Sequence, residues 1–123
     1  GWADARIGDY ERSMVMMSDY KHIAEFQGLT KLARWDVLKQ LGRDAAEYLR
    51  GQLDLAVAER GHILVATHVP PLREACWHEG MLSDDEWAPH FTCLALGELL
   101  LEYAARDPRT HVTVLCGPTH SPG

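Results

Sequence analysis

Two short apolar runs constrain this chain more than any other feature. His62-Ile63-Leu64-Val65-Ala66-Thr67 and His111-Val112-Thr113-Val114-Leu115-Cys116 are continuous rather than alternating. Such runs predict strands buried on both faces, the habit of parallel sheets. Each ends at a breaker: Val69-Pro70-Pro71 after the first, Gly117-Pro118 after the second. Proline has no amide donor and holds its neighbour extended, so neither strand can run on. Parallel strands need a crossover of a dozen or more residues. A helix predicted from about Pro89 to Arg106, with Pro89 in its first turn, supplies it. The fold class that follows is α/β, with parallel strands and crossover helices.

The remaining elements follow from local signals. Ala45, Leu49, Leu53, Ala56 and Val57 make one helical stripe, which predicts a helix over 43–60 ending at Gly61. Residues 29–39 predict a separate short helix that stops near Leu41-Gly42. Ser83-Asp84-Asp85-Glu86 fits a capping box, with Ser83 as the N-cap. Phe91, Leu94, Ala95, Leu99 and Tyr103 form the apolar face of the crossover helix, and Pro108 ends it. Met14-Val15-Met16-Met17 fits a strand or a buried loop equally well.

The chain of 123 residues has the size of a single domain, 1–123. Its formal charge of −6 offers no basic face for a nucleic acid. No apolar span approaches the length of a membrane helix, and residues 1–6 lack the apolar core of a signal peptide. Cys76, Cys93 and Cys116 are too few and wrongly spaced for a disulfide framework or a zinc knuckle. A reducing, cytoplasmic setting is expected.

Both predicted strands lead into Thr-His, at Thr67-His68 and Thr119-His120. In open parallel sheets, ligands bind outside the carboxyl ends of the strands. If the two strands are neighbours, both imidazoles share one sheet edge, where neutral imidazole is a common metal ligand.

Here Thr67-His68-Val69-Pro70-Pro71 and Cys116-Gly117-Pro118-Thr119-His120-Ser121 resemble the last two metal-binding motifs of the calcineurin-like metallophosphoesterases. Residues 1–17, with Gly8-Asp9-Tyr10-Glu11 and Ser13, resemble the linker after that family's central motif. The resemblance runs over nearly the whole chain but covers only the later part of a family domain. It implies a partial metallophosphoesterase-like sheet and a phosphoester substrate. It also implies divalent manganese, iron or zinc in the parent enzyme. By resemblance His68 is a ligand of a second metal, and His120 is the last ligand of a first. The family's Gly-His-x-His places another ligand at position 118, where this chain has Pro118.

Other departures concern the rest of the ligand set. No Asp-x-His occurs, Gly8-Asp9-Tyr10-Glu11-Arg12 carries Arg where a second Asp belongs, and the chain contains no Asn for a Gly-Asn-His motif. A two-metal site clamps the attacking and leaving oxygens with ions about 4 Å apart, and hard cations require carboxylates as well as imidazoles. The expectation is therefore the C-terminal part of a metal-dependent phosphoesterase, with its N-terminal half absent. By itself it would hold little or no metal and show little or no hydrolysis. The alternative is a non-catalytic α/β module. A small parallel sheet leaves open edges and an uncovered face, so a homo-oligomer is expected.

Other candidates have plainer readings. Glu74-Ala75-Cys76-Trp77-His78-Glu79 offers a Cys–His pair without an orienting third group. His90 reads as a helix-surface or satisfied core residue, and His22 and His62 read as surface groups. Cys116 reads as a buried small hydrophobe. Trp2, Trp35, Trp77 and Trp87 share no spacing and read as packing.

Overall fold

The computed structural model describes residues 1–59 and 61–117. In chain order the elements are α1 (Asp19–His22), α2 (Lys31–Glu59), β1 (His62–Thr67), β2 (Trp77–His78), β3 (Met81–Leu82), α3 (Ala88–Phe91), α4 (Leu94–Arg106) and β4 (His111–Cys116). A 3-10 turn covers Arg73–Ala75. The fold mixes helix and strand, with β1 and β4 in a parallel pair and β2 and β3 in an antiparallel one.

The expected strands form at the expected residues, and their register is His62↔His111 through Thr67↔Cys116. Their burial differs from the expectation. In β1 only Ile63 and Val65 are buried, and Leu64 on the opposite face is 65% exposed. In β4, Leu115 is likewise 56% exposed. The cause is layering: α2 and α4 both contribute to the apolar cluster on the Ile63–Val65 face, and among the described residues the other face is uncovered. Leu53, Leu99, Leu100 and Tyr103 join Ile63 and Val65 in that cluster, with Leu49, Ala56 and Val57 at its margin. Leu49, Leu53, Ala56 and Val57 of the predicted stripe pack there, with Ala46 rather than Ala45 completing it.

The two helices predicted over 29–39 and 43–60 are one, α2, of 29 residues and about 43 Å. Gly42 lies inside it. A glycine costs a helix interior about 1 kcal/mol but does not end it. What Gly42 supplies is proximity, since a Cβ there would lie 2.5 Å from Cβ of Asp4. The first half of α2 packs through Leu38 against Ala5, Tyr10, Tyr20 and Phe26 of the N-terminal segment. One long helix therefore carries two adjacent cores.

The crossover helix is divided where the sequence predicts continuity. α3 ends at Phe91, Thr92 is extended, and α4 begins at Leu94. Three bonds hold the break. The Asp4 amide donates to the Thr92 carbonyl (3.0 Å), and the Cys93 amide to the Pro70 carbonyl (3.0 Å). The Asp4 carboxylate accepts from the Ala95 amide at 2.8 Å. Asp4, fully buried, thus caps α4 from far away in sequence. The predicted Ser83 cap is replaced by Asp84, whose carboxylate accepts from the amides of Glu86 and Trp87, both at 3.0 Å. Met14–Met17 is irregular, with Met14 and Met16 exposed.

Candidate functional site

The carboxyl edge of the β1/β4 pair is built by two prolines and two glycines. β1 runs into Thr67-His68-Val69, and then Pro70 and Pro71 turn the chain inward, both buried. Pro71 passes against Gly97 of α4 so closely that a Cβ at Gly97 would overlap the Pro71 carbonyl oxygen. His68 itself is exposed. Across the edge, the Gly117 amide donates to the carbonyls of Thr67 (3.2 Å) and His68 (3.1 Å). A Cβ at Gly117 would stand 2.8 Å from the His68 carbonyl oxygen. His68 and the exit of β4 therefore meet at one point. His120, the other predicted ligand, lies outside the described residues. Cys116, read as buried, is half-buried, since the end of the sheet is covered on one face only.

Behind His68 lies a cavity of about 50 Å³, whose lining includes Asp19, Tyr20, His68, His90 and Phe91. Its volume suits a few waters. His90 is the satisfied core residue of the two readings. Its Nε2 lies 2.9 Å from Ser13 Oγ and its Nδ1 lies 2.7 Å from Tyr20 Oη. The proton positions follow from the partners. Ser13 donates its hydroxyl hydrogen to the Glu86 carbonyl at 2.8 Å, so it accepts from His90. His90 then carries its proton on Nε2, and Nδ1 accepts from the Tyr20 hydroxyl. Ser13 is thus not an activated nucleophile, because its proton points away from the imidazole.

Charges surround this neutral imidazole. The Arg34 guanidinium lies 4.4 Å from the Tyr20 ring centre, and its Nε donates to Tyr10 Oη at 2.9 Å. Burial, then Arg34 and Lys31, lower the His90 pKa from the ordinary 6.5 to about 4. Burial raises that of Tyr20.

The Cys76–His78 pair does not form a nucleophile. Cys76 is buried, its thiol contacts Ser83 Oγ at 3.2 Å, and burial raises its pKa. His78 stacks instead on Trp87, which stacks on Phe91. This stretch forms the β2–β3 hairpin, with Trp77↔Leu82 and His78↔Met81 in register. Glu79 and Gly80 both have positive φ in its two-residue turn, and Gly80 is the only residue there whose type signals such a turn.

Among the described residues no group of three or more His, Cys, Asp or Glu side chains is arranged to hold a metal ion. His68 and Asp19 line one cavity, but both nitrogens of His90 are committed within it. The described donors therefore do not fit a two-metal centre, and no reaction step is derived through one. Among the described residues no helix is long and apolar enough to cross a membrane. No family model, curated protein or solved structure matches this chain.

Proposed function

We propose that this chain is the later part of a metal-dependent phosphoesterase resembling the calcineurin-like enzymes, acting on phosphomonoesters or phosphodiesters. His68 and His120 are its remaining metal-ligating side chains. One observation carries the reading. β1 and β4 are parallel and in register to their last residues, so the Thr67-His68 turn and Gly117 leave the sheet at one edge. The Gly117 amide bonded to the His68 carbonyl marks that meeting point. This is the edge at which open α/β sheets bind ligands.

The donors at hand are two imidazoles with few carboxylates, so the chain alone is expected to hold little or no metal and to hydrolyse little or no phosphoester. Pro118, at the position where the family carries a further imidazole, provides the test. Pro118→His is loaded with manganese, desalted and assayed for metal per chain. Under this reading it retains more metal than the unaltered chain, and adding His68→Ala or His120→Ala removes the gain. No gain, or a gain indifferent to His68 and His120, refutes the reading.

A second reading, a non-catalytic α/β module that self-associates, draws on the uncovered sheet face with Leu64 and Leu115 exposed. It expects an oligomer by light scattering at tens of micromolar that Leu64→Lys disperses. A monomer under those conditions refutes it.

A further inference from the structure

We infer that His62 and His111 form a separate metal site, a two-imidazole clamp for a divalent transition ion such as zinc, nickel or copper. The two residues are direct partners in the parallel register. Their ring centroids lie 4.9 Å apart with the planes inclined by 39°. Both are exposed, so an ion and its remaining waters can reach them. Alternation along the strands puts them on the uncovered face, on the same side as Leu64 and Leu115.

The chemistry fits borderline ions. Imidazole nitrogens bind zinc at about 2.0–2.1 Å. Two rings with centroids 4.9 Å apart are at the separation from which one nitrogen of each can reach a common ion. Imidazole favours zinc, copper and nickel, whereas calcium and magnesium take oxygen ligands. The backbone beneath is fixed: the His111 amide donates to the Gly61 carbonyl at 2.7 Å, and the strands continue pairing from there. The nearby Arg109 guanidinium is paired with the Asp107 carboxylate at 3.0 Å. The clamp is independent of the His68 edge. Six residue steps along the chain take His62 to His68, about 20 Å, too far to share an ion. An ion held here ties the amino-terminal ends of β1 and β4 together and raises the stability of the folded chain by mass action.

The test is a zinc titration of the full chain, followed by the imidazole nitrogen signals in NMR and by calorimetry. The expected result is one binding event in which the His62 and His111 ring signals move together. His62→Gln and His111→Gln each weaken that event by about tenfold or more, as loss of one of two chelating ligands requires. His68→Gln leaves it unchanged. Ring signals of His62 and His111 that stay still while zinc binds elsewhere overturn the inference. So does zinc affinity indifferent to both substitutions, or an event that His68→Gln abolishes. The NMR arm uses the unaltered chain, so it stands even if a variant folds poorly.

Discussion

Acid should unfold this protein through His90, by an amount the geometry sets. The folded chain holds the imidazole neutral, with Nε2–H donated to Ser13 and Nδ1 accepting from Tyr20. Protonation would put a second N–H where the Tyr20 hydroxyl now donates, beside the charges of Arg34 and Lys31. In the unfolded chain the imidazole titrates near 6.5, and in the folded chain at about 4. The unfolded state therefore takes up the proton first. Stability falls as pH drops from about 6.5 to about 4, and levels off for this group below that. Between pH 7 and pH 4.5 the loss attributable to His90 is about 2.5 kcal/mol, a large part of a small domain's stability. Urea unfolding at the two pH values, on the unaltered chain and on His90→Gln, measures it. The unaltered chain should lose about 2.5 kcal/mol more than the variant over that interval, because glutamine has no proton to gain. Equal losses in the two proteins would refute the argument. They would mean that the imidazole titrates alike in both states and that burial beside Arg34 and Lys31 exerts no bias.

Three further outcomes rest on close packing and exposed charge. Gly42→Ala should destabilise by about 1–3 kcal/mol in urea despite a helix-propensity gain of about 1 kcal/mol, since the new methyl collides with buried Asp4 and disturbs the cap of α4. Gly97→Ala should cost a similar amount, about 1–3 kcal/mol, because its Cβ meets the Pro71 carbonyl and lies 2.7 Å from Leu72 Cδ2. It should also shift the amide signals of Thr67 to Leu72 in NMR. Arg50→Ala removes a two-pronged bond to Glu102 at 2.8 and 3.0 Å, yet both side chains face solvent. Solvent screens the pair, so the variant's thermal unfolding midpoint should stay close to that of the unaltered chain.

The sequence alone determined what depends on near neighbours along the chain. The apolar runs 62–67 and 111–116 had to be strands because each is short, continuous and bounded by a breaker. The stripe through Leu49, Leu53, Ala56 and Val57 had to face a core because its spacing is helical. The candidate His68 was legible for the same reason, as the first polar side chain after a strand stop. Tertiary structure decided whatever required two distant segments to meet. Asp4 lies against α2 at Gly42 and holds the split of the crossover helix at Thr92, although neither contact is written near those residues. His90 became the centre of a hydrogen-bond chain only because Ser13 and Tyr20 fold over it. His62 and His111 read singly as a surface group and a strand residue, and only the parallel register makes them a pair. The physical reason is common to all of these. Periodicity and breakers act through the backbone within a few residues. Close approach, burial and proton position depend on side chains that sequence separation keeps apart until the chain has packed.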